Sequence, residues 1–142
     1  MSGLRALIKF AGHRTDGALA TWQRLRAQCD EARHKLAVLK QHGQHYRELL
    51  HAGLRQGMPA TLTMAYLGFI GQIEDVVVRQ ENDVGSLEEA CVRQWQDLVD
   101  ARREKRTYEI LSERAATREL AASVRRRQTE IDDLLQRSVK AP

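Results

Sequence analysis

The stretch LRQGMPAT, Leu54 to Thr61, contains the chain's one internal proline, placed two residues after a glycine. Long segments rich in helix-forming residues lie on both sides of it. Glycine is favoured just past the end of a helix, and proline is favoured in the first turn of the next one. The stretch therefore predicts that Gly57 ends one long helix and that Pro59 begins another.

Before this break, apolar residues recur at alternating steps of four and three. Such a seven-residue repeat is typical of a left-handed coiled-coil seam. The seam positions are Leu4, Ile8, Ala11, Thr15, Ala18, Trp22, Leu25, Cys29, Ala32, Leu36, Leu39, Gly43, Tyr46, Leu50 and Gly53.

The same stepping resumes after the break. We assign the second seam to Leu62, Tyr66, Phe69, Ile73, Val76, Gln80 and then, after one extra residue, Val84, Leu87, Cys91, Gln94, Leu98, Ala101, Lys105 and Tyr108. The extra residue predicts a stutter, which unwinds a supercoil locally. Large apolar residues become sparse beyond Leu111.

Two long helices joined by a short connection pack as antiparallel neighbours. We predict a single all-α domain over residues 1–142, a long antiparallel two-helix coiled-coil hairpin. Helix 1 spans about 4–55, the turn about 56–60 and helix 2 about 61–138, and residue i pairs with about residue 115 − i. Because the turn is off-centre, residues 112–142 form a C-terminal overhang without a partner in the chain.

The charge distribution fits this register. Residues 1–56 carry ten Lys/Arg and four Asp/Glu, residues 57–100 carry two and eight, and residues 101–142 carry eleven and seven. The hairpin therefore places a basic first helix along an acidic part of the second.

The sequence argues against an enzyme. It contains no glycine-rich phosphate loop, no HExxH and no GxSxG motif, and a two-helix hairpin lacks a pocket that shelters a reaction. His42 and His45, with His34 or Glu48, have the spacing of metal ligands on a helix, but we interpret them as solvated polar residues. We expect no cofactor and no metal.

The two cysteines, Cys29 and Cys91, form no metal motif. We find no apolar run near the ~20 residues of a membrane span and no signal peptide. These features predict a cytoplasmic protein with free thiols at two seam positions.

The C-terminal arginines raise the alternative of a nucleic-acid-binding protein, because phosphates attract Lys and Arg. Acidic residues are interleaved throughout, and no aromatic platform accompanies the arginines. We therefore interpret this helix as a mixed-charge face and expect no nucleic acid. Aromatic residues cluster near the turn, and the pattern leaves open whether they form core or a partner site: Tyr46, Tyr66 and Phe69.

Four segments resemble the flagellar protein FliJ family across nearly the whole chain: AQCDEARHKLAVLKQHGQHYRELL, QGMPATLTMAYLGFIGQIEDVVVRQ, WQDLVDARREKRTYEILSERA and RRRQTEIDDLLQRS. The order of features carries the resemblance: Tyr46-Arg47, a glycine break, Tyr66-x-x-Phe69-Ile70, Trp95, a basic helix and a late Gln-x-x-Ile-Asp-Asp.

The resemblance implies a non-enzymatic cytoplasmic component of the bacterial flagellar type III export apparatus, peripheral at the inner membrane through its partners. Those partners are the export ATPase hexamer, into whose ring the terminal ends insert, the cytoplasmic domain of the export gate membrane protein, and export chaperones.

It also implies a platform-binding surface on both helices near the turn. Four residues match the family pattern, and four occupy its positions with a different type: Leu39, Tyr46, Phe69 and Ile73, then Lys35, His42, Val76 and Gln80. For the ATPase contact we select the arginines of the overhang: Arg114, Arg118, Arg125, Arg126 and Arg127.

Three alternatives stay open. The first is the stalk of a virulence-type injectisome, a relative of the FliJ family that would have the same fold. A basic coiled coil that binds nucleic acid is the second. The third is dimerisation through the overhang, because an unpaired amphipathic helix can pair with a copy of itself.

Overall fold

The computed structural model describes residues 2–140, so the ends of the predicted domain, Met1 and residues 141–142, lie outside it. The chain forms two helices, α1 (Ser2–Gln56) and α2 (Ala60–Lys140), and the described residues contain no strand. This confirms the all-α antiparallel two-helix hairpin with a longer second helix. That the chain is a single domain stays a prediction.

The break has the predicted chemistry. Gly57 adopts φ +89°, a left-handed conformation that glycine takes without steric cost, and its N–H donates to the carbonyl of Leu54 at 3.4 Å. The carbonyl of Pro59 accepts the first bonds of α2, from the N–H groups of Leu62 at 3.1 Å and Thr63 at 3.0 Å. Gly57 therefore ends α1, and Pro59 caps α2.

The predicted seam of α1 is confirmed, because every one of its members is buried or half-buried. Its most buried side chains are Ala11, Cys29, Ala32 and Leu50. Gly43 is buried as well, and a Cβ placed on it would lie 3.4 Å from Cγ2 of Ile73. The helices therefore approach closely here because this position carries no side chain.

The seam at the start of α2 was wrong at alternate positions. Ile70 is only 7% exposed, whereas Phe69 is 43% exposed. Leu62 and Val76 are also exposed, and their neighbours Thr63 and Val77 hold the half-buried positions instead. In this part of α2, two adjacent residues are often both apolar, so the sequence allows either of them to lie in the seam. Which one is buried depends on the rotation of α2 about its axis, and the sequence-based assignment chose the wrong residue of each pair.

The corrected seam removes the predicted stutter. Buried and half-buried positions now step by three and four without interruption: Thr63, Tyr66, Ile70, Ile73, Val77, Gln80, Val84, Leu87, Cys91, Gln94, Leu98, Ala101, Lys105 and Tyr108. The extra residue arose because alternate positions in the first part of the seam were assigned one residue too early. The heptad pattern therefore predicts no local unwinding of the supercoil.

Contacts divide the chain into two units, residues 18–98 and residues 1–17 with 99–142. In the first unit, three basic residues of α1 pair with three acidic residues of α2: Arg33–Glu88 at 3.0 Å, Lys40–Glu81 at 3.6 Å and Arg47–Glu74 at 2.8 Å. The charge blocks therefore face each other as predicted. Because these side chains are about half exposed, solvent and salt screen the charges, and each pair contributes little to stability.

Two glutamines of α2 form polar contacts across the seam of this unit. Gln80 donates its side-chain amide to the carbonyl of Ala32 at 3.1 Å, and Gln94 donates to the carbonyl of Ala18 at 3.3 Å. These contacts and the Tyr46–Phe69 contact agree with the predicted pairing of residue i near 115 − i. Leu98 at the end of the unit is fully buried.

In the second unit, Glu104 joins the helices. Its carboxylate accepts a bond from Arg14 at 2.6 Å and another from the hydroxyl of Tyr108 at 3.0 Å. The bond to Glu104 raises the pKa of Tyr108. Half-burial of α2 continues to Ser112 and Ala115, so the exposed part begins near residue 116, four residues later than predicted. We call residues 116–140 the overhang.

Candidate partner-binding surfaces

Eight residues predicted to bind the export gate platform all lie in the unit 18–98. We call them the platform set. Four are half-buried between the helices and four are exposed at the border of the seam: Leu39, Tyr46, Ile73 and Gln80, then Lys35, His42, Phe69 and Val76. The set is thus partly accessible, and its role in binding stays a prediction.

The rings of Tyr46 and Phe69 are the centre of this set. Their centroids are 4.7 Å apart with an interplanar angle of 80°, an edge-to-face contact. Together with Leu62, Ala65 and Tyr66 they line a shallow groove of about 240 Å³. The aromatic cluster is therefore both core and surface, because Tyr46 is half-buried while Phe69 remains substantially exposed.

Other members of the set are engaged within the chain. The side-chain amide of Gln80 donates a hydrogen bond to the carbonyl of Ala32. Lys35 pairs with Glu31 at 3.5 Å on its own helix. Among the exposed members, His42 and Val76 form no side-chain hydrogen bond, ion pair or ring contact within the described residues, so they are the most available for contact.

The five arginines predicted to contact the ATPase are exposed. Arg125 donates from Nε to the carbonyl of Ala121 at 3.5 Å. Within the described residues, no ion pair of 4.0 Å or less involves a side chain beyond Glu113. The overhang contains six Lys/Arg and four Asp/Glu, so it carries a net positive charge, and its arginines form no close ion pair within the described residues.

The overhang also carries an apolar stripe, although large apolar residues are sparse in this part of the sequence. Its members are between 51% and 67% exposed: Leu120, Val124, Ile131, Leu134 and Leu135. Continuation of the hairpin seam would fall on Glu119 and Arg126, so the stripe lies on a different face. The changed phase was the signal that could have revealed it.

The end of the unit 18–98 that lies opposite the turn contains a contact between two tryptophans and, next to it, a pair of thiols. The rings of Trp22 and Trp95 are 5.1 Å apart, and Arg26 lies 5.2 Å from the ring of Trp22. Cys29 is buried and Cys91 half-buried, and both are free. Burial, together with the neighbouring Cys29, raises the pKa of Cys91.

The closed end of the hairpin, residues 54–73, differs from the rest of the chain. It contains one charged residue, Arg55, and none from residue 56 to 73. Helix α2 is long and apolar enough to cross a membrane by length and composition, with a stretch of mean hydropathy 1.2 that is 11% buried. One such helix is weak evidence for a membrane span. The sequence contains no unbroken apolar run near ~20 residues, as expected, because threonines, glycines and Gln72 interrupt the stretch.

A family model described as flagellar FliJ protein matches residues 1–141. The chain belongs to the flagellar FliJ family. Searches of curated proteins and of solved structures found no match to it. Membership makes the chain a component of the flagellar protein-export apparatus, and the FliJ family is not known as an enzyme family. It also indicates a bacterial cytoplasmic location near the flagellar base.

Proposed function

We propose that this FliJ-family chain is the non-enzymatic stalk of the export apparatus. Its overhang enters the ring of the export ATPase hexamer and promotes ring assembly and activity. Its platform set binds the cytoplasmic domain of the export gate membrane protein. The observation that carries the proposal is the overhang, a helix with a net positive charge and an apolar stripe against which no other helix of the described residues packs.

An unpartnered helix of 25 residues, 116–140, is about 37 Å long at 1.5 Å per residue. Such a helix is marginally stable in water by itself, and its apolar stripe gains free energy only when something covers it. The central opening of a protein ring can cover it on several sides. Acidic groups there would pair with Arg125, Arg126 and Arg127.

The test is to mix the purified protein with its cognate export ATPase and to measure ATP hydrolysis and ring formation. We expect stimulation by the full chain, and we expect it to disappear when residues 116–142 are removed. Reversing Arg125, Arg126 and Arg127 to Glu should weaken ring assembly without lowering helicity. The matched control is reversal of the exposed pair Arg102 and Arg103, which lies outside the overhang.

Unchanged stimulation in the triple variant would show that these arginines are not the contact. If both reversals weaken assembly alike, net charge rather than the overhang controls the ATPase. Retention on DNA that falls with salt, without any effect on the ATPase, would favour the nucleic-acid-binding alternative instead.

For the gate platform, the accessible members of the set supply the test. Val76→Glu and His42→Glu should weaken binding to the cytoplasmic domain of the gate protein, because each places a carboxylate on the proposed face. Val92→Glu is the control: Val92 is 71% exposed on the same helix, and none of the platform set lies beside it. Binding lost equally in all three variants would contradict the assignment.

Assistance to export chaperones and a peripheral position at the inner membrane through these partners complete the proposed role. The match to a flagellar model favours the flagellum over the injectisome alternative. Deletion of the gene with complementation by the overhang variants tests it in cells. We expect loss of swimming motility to follow loss of ATPase stimulation across the variants.

A further inference from the structure

The closed end exposes large apolar side chains on more than one side. The most exposed are Met64 at 69%, Leu54 and Leu67 at 51%, Leu62 at 46% and Phe69 at 43%. Single exposed apolar residues are common on protein surfaces, but a contiguous group of this kind marks an interaction site. The group lies around the turn and extends beyond the platform set.

These side chains surround α2 at its start. At 100° per residue, Leu62 and Phe69 fall on one flank of the seam formed by Thr63, Tyr66 and Ile70. Leu67 and Met64 fall on the other flank by the same geometry. A helix that is apolar all round is one that lies inside a protein core or in a membrane. Here one helix, α1, covers only the seam side.

The charges indicate which partner fits. Protein partners are selected through complementary charges around an apolar centre, and residues 56–73 offer none. Along the sequence, the first charges on either side are Arg55 and the adjacent acids Glu74 and Asp75. On α1, which packs alongside, Glu48 and Arg47 follow, and the pair Arg47–Glu74 marks the border of the uncharged surface. The closed end is uncharged and apolar on several sides, so it fits an apolar medium that can contact it on all of those sides. The boundary between lipid headgroups and acyl chains is such a medium.

We infer that the closed end, residues 54–73, inserts into the interfacial region of a lipid bilayer. The contact is direct and hydrophobic, and it does not depend on the gate platform or on the ATPase. Residues 60–73 cover roughly 21 Å of helix at 1.5 Å per residue, which is shorter than a ~30 Å hydrocarbon core. The closed end therefore does not span the bilayer.

The turn limits the depth of insertion. The N–H groups at the start of α2 have no preceding carbonyl within the helix, and they need water or headgroup oxygens. Pro59 has no N–H group, so it leaves one donor fewer to satisfy. Its carbonyl accepts hydrogen bonds from the N–H groups of Leu62 and Thr63. The insertion is accordingly shallow: the tip of the closed end enters about 5–10 Å into the boundary region, which at 1.5 Å per residue includes α2 as far as about Leu67. Glu74 and Asp75 stay in the aqueous phase.

The experiment is flotation of the full chain with phosphatidylcholine vesicles, which carry no net charge, at low and at high salt. We expect the protein to float with the vesicles and the bound fraction to be insensitive to salt. The variant Met64→Glu/Leu67→Glu should reduce the partition coefficient at least about tenfold, because two large apolar side chains are replaced by charges. Both residues are exposed, so its circular dichroism spectrum and thermal midpoint should equal those of the wild type.

The matched control is Val92→Glu, at a 71%-exposed position of α2 outside the closed end, which should float like the wild type. If the double variant loses helicity, Leu54→Glu on α1 repeats the test from the other helix.

Three outcomes overturn the inference. The wild type stays unbound to phosphatidylcholine vesicles. It binds only when phosphatidylglycerol is added and is released by salt, which would identify the arginines as the contact. In the third outcome, the closed-end variants and Val92→Glu lose vesicle binding equally. Loss of gate-protein binding in Met64→Glu/Leu67→Glu, together with the first outcome, would instead identify the closed end as a protein-docking face. None of these outcomes decides ATPase stimulation, so the proposed function is tested separately.

Discussion

The corrected seam of α2 makes a prediction that depends on two adjacent residues. Ile70 is 7% exposed and Phe69 is 43% exposed, although phenylalanine is the larger and is usually the more costly to truncate. We expect Ile70→Ala to destabilise the hairpin more than Phe69→Ala. The opposite order would follow from the seam assigned by sequence alone.

The magnitudes can be worked from burial. Ile70→Ala removes a side chain that is almost entirely covered, and it should cost about 2–3 kcal/mol, the low end for buried aliphatic truncation because a narrow seam relaxes easily. Phe69→Ala loses a little over half of a full burial term, about 1–1.5 kcal/mol, and the edge-to-face contact with Tyr46, about 0.5–1 kcal/mol, which gives about 1.5–2.5 kcal/mol in total. The midpoints of the two ranges differ by about 0.5 kcal/mol, or about 2 °C in Tm for a chain of this size.

The assay is urea unfolding followed by circular dichroism at 222 nm, with equal slopes required before midpoints are compared. A second pair of identical residues removes the difference in side-chain type. Val77→Ala should destabilise more than Val76→Ala, since only Val77 lies in the corrected seam. If Phe69→Ala costs as much as Ile70→Ala, and Val76→Ala as much as Val77→Ala, the corrected seam is refuted.

Three further predictions follow from single contacts. Gly57→Ala should lower the free energy of unfolding by about 1–2 kcal/mol because of the positive φ, whereas Gly85→Ala, in open helix, should raise it by up to about 1 kcal/mol; urea midpoints measure both. The raised pKa of Cys91 means that the folded state holds this proton more tightly than the unfolded state. Its stabilising contribution is present below the ordinary thiol pKa and lost as pH rises through the raised value, so iodoacetamide labelling should begin at a higher pH than in a peptide. A double-mutant cycle on Arg47 and Glu74 should give a coupling of no more than about 1 kcal/mol, which falls with added salt.

Much of the fold could be predicted because it depends on the spacing of apolar residues along the helices and on the glycine and proline at the turn. Gly57 and Pro59 determine where one helix ends and the next begins, and the heptads of α1 contain one apolar choice per turn. At the start of α2, adjacent pairs such as Phe69–Ile70 and Val76–Val77 are both apolar. Periodicity alone then allows two phases, and only packing against α1 decides between them.

The candidate surfaces were less predictable. The arginines of the overhang are visible in the sequence, but that they lack ion-pair partners depends on side-chain positions. The sequence places Met64 and Leu67 in a helix, yet their exposure follows from the absence of a third helix. A search for unbroken apolar runs passed over the closed end for the same reason: its glycines and threonines separate the large side chains.

The two glutamine contacts across the seam have a mechanical consequence. Gln80 and Gln94 hold the carbonyls of Ala32 and Ala18, which are separated by the same number of residues on both helices. A force that pushes one helix along the other loads both bonds at once, whereas a force that peels the helices apart loads them one after the other. In single-molecule pulling, this unit should therefore resist axial shear more strongly than unzipping. A helical pair that resists sliding in this way can transmit a force along its axis while its two helices remain in register.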